Sequence, residues 1–499
     1  MSTARSEVPD IESLEEGFLR FCWYSLPPKA RAKILTDAPR TTWLFGAGAS
    51  HHYDLNRFGV PVPLASGFFK AFNELPTSQG FGAHIGPLIS FLEHYKGVPP
   101  NQVSVWDENI EDFMTDIERS IEDLRARKKK RRLISREFAD MMSYATVFNN
   151  MNFIFANVLN EAQNGASTSL YHMLLEMCGP NDAFLTFNWD TLLDRALADS
   201  GAWTPQTGYG VEFASVLDGV WKKRVSGRPQ FKSNWKLLKL HGSTNWLVPY
   251  LGVQFQTLKY TSIVPKSDRV FLYWHTSLPF PTHKGRWRGG YATTCYGYYP
   301  PNIPGRLFNR EEISAGPGKV LVRYTPRLFS PFSEGSDSGV PSSPLLITPV
   351  RQKKYDMYAK TIGSIWEQAA DTLKSSNRVV IVGYSFPATD VRARQLLTAA
   401  LKSRPNQIDV EFVAPGVNDI VGRVGQETLA LARSVSAFDE TFDRYLERLS
   451  LQSASFMREA AKRTAEVRDW IFLLLGLSLA TAEQRAGLHR GSGARGPRG

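Results

Sequence analysis

Residues 41–54 read TTWLFGAGASHHYD: a short apolar run of β-branched and aromatic side chains breaks into Gly46-Ala47-Gly48-Ala49-Ser50, which carries almost no side chain. Such a run, bounded by glycine, predicts a strand buried on both faces. The bare turn after it has two readings. Its glycines can serve the packing of a tight turn, or they can let amide N–H groups approach a phosphate at the start of a helix. The dinucleotide fingerprint is incomplete: His51 stands where a third glycine is required, and no acidic residue closes an evident second strand about twenty residues later.

Working outward, three more runs share this form: DAFLTFNW (182–189), RVVIVGYS (378–385) and IDVEFVAP (408–415). KLLKLHGS (236–243) and PLLITP (344–349) are weaker candidates. Helical periodicity lies between them. NIEDFMTDIERSIEDL (109–124) puts Ile110, Phe113, Met114, Ile117, Ile121 and Leu124 on one face, with Asn109 as N-cap. Residues 134–162 predict a longer, buried helix or pair, and 358–376 and 390–403 flank the strand at 378. The pattern predicts an α/β fold: a Rossmann-like, mostly parallel sheet flanked by helices, with long β-rich insertions and a helical C-terminal region. The insertions, about 202–235 and 250–343, are rich in Gly, Pro, Trp and Tyr and read as hairpins forming a lid or an assembly surface. They interrupt a main domain over 38–420; residues 1–37 read as a helical extension, 421–486 as a helical region and 487–499 as a disordered basic tail.

Composition excludes several classes. With 499 residues, 42% of them hydrophobic, the chain can bury full cores. The longest apolar run, WIFLLLGLSLA (470–480), is too short to span a bilayer, so a cytoplasmic protein without a membrane partner is expected. Cys22, Cys178 and Cys295 are far apart with no CxxC spacing, which leaves no disulfide framework and no zinc ribbon; no metal is expected. The net charge of +11 is concentrated in RARKKKRR (125–132) and the tail. The former reads as a solvated helix face or a phosphate-binding patch, and without interleaved aromatics it indicates no dedicated nucleic-acid groove.

Four stretches carry chemistry. Thr186, Asn188 and Asp190 alternate at a strand's end and are expected to face one crevice; Asn188 offers a donor and an acceptor, and Asp190 is either a ligand contact or a helix N-cap. His241, in LLKLHGSTNW, is a candidate base or a structural imidazole. VVIVGYSFPATD repeats the strand-then-glycine arrangement, with Gly383, Ser385 and Asp390 at its edge. SAGPGKV (314–320) lacks the first glycine and the Ser/Thr of a P-loop. The carboxylates Asp107, Glu108, Glu111 and Asp112, which a glycosidase-type pair would need, sit where a helix start favours acidic residues.

In this order, GAGAS, TFNWD, LHGS and GYSFPATD, with the NIEDFMTDIE helix and the IWEQAADTLKSSNRVV block, resemble the sirtuin-like family, in particular its bacterial NAD-consuming branch, over roughly 38–445. The resemblance implies that NAD is the substrate and that Gly46, Ala47, Gly48 and Ser50 contact its phosphates. It implies that Asn188 and Asp190 bind the nicotinamide ribose, with Thr186 beside them, and that His241 is the catalytic base. It further implies that Gly383, Ser385 and Asp390 line the adenosine half. Deacylases of this family carry a zinc ribbon of two cysteine pairs, which this chain lacks, so NAD hydrolysis is the expected activity. An antiphage effector is implied, acting as a homo-oligomer or with a separate partner such as a translocase ATPase or an Argonaute-type protein. An NAD or ADP-ribose sensor, a deacylase or ADP-ribosyltransferase, and a nucleic-acid-binding surface are the alternatives.

Overall fold

The computed structural model describes residues 40–450 except 57, 76–81, 164, 214, 219–222, 226–232, 234, 252–263, 266–269, 275–341, 351–352, 354–358 and 404–407. The expected N-terminal extension, SAGPGKV, most of the second insertion, the stretch 451–486 and the basic tail lie outside the described residues. Two compact units are present: 40–172 with 181–442, and a smaller one containing 173–180 and 443–450 among its described residues. The larger unit holds the two sheets and every candidate site residue.

Its strands, in chain order, are β1 (Thr41–Phe45), β2 (Ala183–Thr186), β3 (Ser215–Asp218), β4 (Lys223–Val225), β5 (Lys236–Lys239), β6 (Gly242–Leu251), β7 (Val264–Pro265), β8 (Phe271–Trp274), β9 (Ser342–Leu346), β10 (Arg378–Val382), β11 (Asp409–Val413) and β12 (Ser434–Phe438). Six of them form one sheet in the order β12-β11-β10-β1-β2-β5, and every pairing in it is parallel. Numbered within the sheet this is 3-2-1-4-5-6, the doubly wound dinucleotide-fold order, and its direction reverses between β1 and β10. Ligands of such sheets bind outside the carboxyl ends at that reversal. The five residues of β1 are all buried, as expected of a central parallel strand covered on both faces.

The helices follow from their patterns. Asn109 Oδ1 accepts the Glu111 N–H at 2.9 Å, capping a helix over Ile110–Lys130 whose predicted face is buried throughout. Its last turn carries Arg127, Lys128, Lys129 and Lys130, where the helix dipole favours cations, and Arg131 forms a two-pronged pair with Glu137 at 2.8 and 2.6 Å. That pair, led by the hydrogen bonds, lowers the Glu137 carboxyl to about 2. The stretch expected as a long helix or pair is one helix, Ser135–Ala162. In Ala359–Lys374, buried Ile362, Ile365, Trp366, Ala369 and Leu373 make the stripe that packs against β5 and the helix Val391–Lys402.

Three elements differ from the sequence reading. Only the first three residues of PLLITP, Pro344–Leu346, fall in a strand, β9, and it pairs antiparallel to β6 in a second sheet, β4-β3-β8-β6-β7, rather than in the parallel one. The strand expected over 182–189 stops at Thr186. β12 sits inside the stretch read as wholly helical, between short helices Val417–Val424 and Gln426–Leu429 and the helical residues 442–450. SVSAF is an edge strand, largely exposed, so it lacks the apolar run that reveals its neighbours. Among the described residues no helix is long and apolar enough to cross a membrane.

Candidate functional site

The carboxyl edge of the parallel sheet is built in register. Val413, Val382, Phe45, Thr186 and Lys239 lie in one row, each the last residue of its strand. Two residues beyond the paired Thr186 and Lys239 come Asn188 and His241, and one residue beyond Phe45 and Val382 come Gly46 and Gly383. Asn188 and His241 thus each follow, by two residues, one member of the Thr186–Lys239 pair at the carboxyl edge, next to the β1–β10 reversal.

The glycine turn is explained first by packing. Gly46 N–H donates to Val382 O and Gly48 N–H to Gly383 O, each at 2.9 Å. A Cβ on Gly46 would lie 2.5 Å from Tyr384 Cα; one on Gly48 would lie 2.9 Å from Gly383 Cα; one on Gly383 would lie 2.3 Å from Ala49 N. Gly383 also has φ +60, in the left-handed region. Two turn amides are thus used by the end of β10 and the glycine after it, and Ala47 and Gly48, the first two residues of the one-turn helix Ala47–His51, form its exposed crest. His51, in place of the third glycine, bonds Val62 O through Nδ1 at 2.8 Å.

Asn188 is anchored to this turn. Its Nδ2 donates to Gly46 O at 2.9 Å and to Ser50 Oγ at 3.1 Å, and Ser50 Oγ contacts the buried Tyr171 hydroxyl at 3.3 Å. Burial, chiefly, pushes the Tyr171 phenol far up, so it stays protonated. Both amide hydrogens are used, so the half-buried side chain offers an acceptor: Oδ1 has no partner among the described residues. The donor expected from the sequence is not available. Because β2 ends at Thr186, the alternation expected for 186, 188 and 190 does not continue. Thr186 is buried, with Oγ1 accepting the Asn188 N–H at 3.0 Å. Asp190 is buried as well, and its Oδ1 accepts the Leu192 N–H at 3.1 Å across Thr191, which is the N-cap of helix Leu192–Asp199; Asp190 itself stands one residue before the cap.

Beneath them Lys239, fully buried, donates to Asp190 O and to both Asp194 oxygens at 3.3 and 3.2 Å. Burial pushes the Asp194 carboxyl up and Lys239 pulls against it. Removing one member of such a pair costs about 3–5 kcal/mol.

His241 occupies the two-residue corner between β5 and β6. Gly242 makes that corner with φ +83, and a Cβ on it would meet Leu345 O at 2.0 Å. The His241 carbonyl accepts from Ile347 N at 2.9 Å and Trp189 Nε1 at 3.0 Å, while its ring lies 4.9 Å from that of Phe187. Its Nε2 is 3.1 Å from Asp390 Oδ2, which also accepts from Lys353 Nζ and the Tyr384 hydroxyl, each at 2.7 Å. Asp390 is 1% exposed. Sequence reasoning placed it on the adenosine half; it stands against His241 instead, and its carboxylate is already filled by protein donors on Oδ2. Burial disfavours its charge, but His241 and Lys353 outweigh this and hold the carboxyl well below its usual range. Burial, then Lys353, lowers His241 to about 4 against the pull of Asp390, so the ring is neutral at pH 7.

Lys353, Tyr384 and Phe187 were not anticipated. Tyr384 stacks on Phe187 at 4.1 Å, and Phe386 has φ +47, a strained conformation for a bulky residue that costs on the order of 1–3 kcal/mol. The glycine and proline of GYSFP were the only signal that this loop turns sharply; nothing in PVRQKKY marks Lys353. Ser385 is exposed, with its carbonyl bound by Arg423 at 3.0 Å. Among the described residues, no group of three His, Cys, Asp or Glu side chains could hold a metal ion.

No family model and no curated protein matches the chain. Among solved structures, it is similar to two Sir2 homologue mutants in complex with ADP-ribose, at 10% and 11% identity, each with a TM-score of 0.33 and covering 88% of this chain and 99% of that one. It is also similar to a Sir2 enzyme solved for its mechanism and regulation, at 11% identity and a TM-score of 0.30, covering 87% of this chain and all of that one. The fold itself rests on strand order: a Rossmann-like parallel sheet of six strands.

Proposed function

We propose that the chain hydrolyses NAD at the bond between nicotinamide and ribose, releasing nicotinamide and ADP-ribose. The observation that carries this reading is the fixed Asn188 amide, two residues beyond Thr186, whose partner in the β2–β5 pair, Lys239, stands two residues before a neutral His241.

The chemistry suits that pair. The C1′–N bond breaks with its electron pair going to the ring nitrogen, which turns a pyridinium into neutral nicotinamide. The leaving group needs no proton, so no acidic carboxylate partner is required. Water forms the new bond to C1′ and gives up a proton. Asn188 Oδ1 accepts a hydrogen bond from that water or from a ribose hydroxyl, and His241 takes the proton. A protonated imidazole would repel both the pyridinium and the positive charge developing on the ribose; the neutral ring avoids this. The exposed Ala47–Gly48 crest and Ser385 are the surfaces assigned to the dinucleotide's phosphates and adenosine half. By the sequence resemblance, the setting is a cytoplasmic antiphage effector that depletes NAD as an oligomer or with an activating partner.

The test is chromatography of products after incubating the purified full chain with NAD. Equal amounts of nicotinamide and ADP-ribose, without an acceptor peptide, are expected. Saturable NAD binding with no nicotinamide release would overturn the reading in favour of a sensor, and acceptor-dependent consumption would favour group transfer.

A further inference from the structure

The buried group around His241 is more elaborate than a structural histidine needs. An ionised carboxylate only accepts hydrogen bonds, so with Asp390 Oδ2 at 3.1 Å the His241 Nε2 carries the hydrogen and the lone pair of the neutral ring lies on Nδ1. Asp390 is itself held from two directions. Lys353 and the Tyr384 hydroxyl both bond the oxygen that faces the imidazole, while Oδ1 is buried with no partner among the described residues. Three donors from three different segments therefore converge on one oxygen. The ring is further confined by Phe187 at 4.9 Å and by Trp366 at 6.4 Å, over which the Arg392 guanidinium lies at 4.5 Å.

We propose that Asp390 is a positioning residue for His241, fixing the imidazole as the Nε2–H tautomer so that Nδ1 is the nitrogen that takes the proton from the attacking water. This rests on the hydrolase reading. Lys353 and Tyr384 aim the carboxylate; they do not touch the reacting atoms. The assignment replaces a ligand-contact role for Asp390 with one exerted wholly through the histidine.

Two variants separate orientation from charge. Asp390→Asn can place its carbonyl oxygen where Oδ2 lies, keeping the three donors, and its NH2 where the unpartnered Oδ1 lies. Asp390→Ala keeps neither. With NAD, Asp390→Ala is expected to lose kcat on the order of 10- to 100-fold at little-changed KM, part of the 10²–10⁴-fold that a positioned base contributes. Asp390→Asn is expected to fall by less than about tenfold. Equal kcat per folded molecule in wild type and Asp390→Ala overturns the proposal and leaves the hydrolase reading standing.

A second readout is independent of turnover. In ¹⁵N-histidine spectra of the full chain at pH 7, with His241 assigned from the signals missing in His241→Gln, the wild type is expected to show the Nε2–H tautomer. Asp390→Ala is expected to show a mixture. An Nδ1–H tautomer in the wild type, or an unchanged tautomer in Asp390→Ala, contradicts the proposal. If the wild type releases no nicotinamide, the hydrolase reading fails and these spectra still decide what Asp390 does.

Discussion

Asn188 and His241 follow neighbouring strands at matching register, yet one is fixed by neutral hydrogen bonds on a half-buried loop and the other by charge in a buried corner. The amide needs only direction. Gly46 O and Ser50 Oγ take its two hydrogens and thereby decide which atom faces outward. The imidazole needs direction and a charge state. Asp390 supplies the first; burial and Lys353 supply the second by disfavouring the protonated ring. The contrast shows one sheet edge using two different forces to hold two polar side chains.

The largest effects should come from removing either group. Asn188→Ala and His241→Ala are each expected to lower kcat/KM by about 10²–10⁴-fold while far-ultraviolet circular dichroism stays unchanged. Full activity in either variant removes that residue from the mechanism. Gly46→Ala comes next, because its Cβ would meet Tyr384 Cα at 2.5 Å and push apart the two loops that anchor both groups. A loss of about 1–3 kcal/mol is expected in denaturant unfolding; an unchanged midpoint would mean the loops are not in contact. Ser50→Ala leaves one Asn188 hydrogen without its acceptor, worth about 0.5–1.5 kcal/mol, and should slow turnover by no more than about tenfold. It should spare the tautomer of His241, and a change there would show that the two clusters are not separately held.

The pH dependence sharpens the comparison with the smallest perturbation. A histidine whose folded pKa is depressed from 6.5 to about 4 contributes stability above pH 6.5, and that contribution is lost as pH falls through 6.5 towards about 4. The melting temperature of the wild type should therefore drop more steeply across that window than that of His241→Gln. Activity should persist well below pH 6.5. A fall centred at 6.5 would mean that the ring is solvated and the buried corner is wrong.

The central strands were legible because each is a continuous apolar run ending in a small or polar residue, which only a strand buried on both faces requires. β12 was not: an edge strand pairs through its backbone, and SVSAF buries too little to show it. The register that pairs Thr186 with Lys239, two residues before Asn188 and His241, is a property of strand pairing and is invisible along one chain. Residue types did single out Asn188 and His241 as candidates and the glycine turn as special. What they could not show is direction. Asp390 looked like a ligand contact because it follows a glycine loop, but the strained turn at Phe386 accompanies a loop that folds it inward against His241. The glycines of the first turn looked like a phosphate cradle, and their nearest claim proved to be the backbone of a second glycine loop.

The most direct test of the account is a crystal structure of the Asn188→Ala chain soaked with NAD, since loss of the amide should trap the uncleaved dinucleotide. The account predicts the nicotinamide ribose between residue 188 and His241, with the phosphates along Ala47 and Gly48. NAD bound with its nicotinamide ribose away from His241, or at another edge of the sheet, would contradict it.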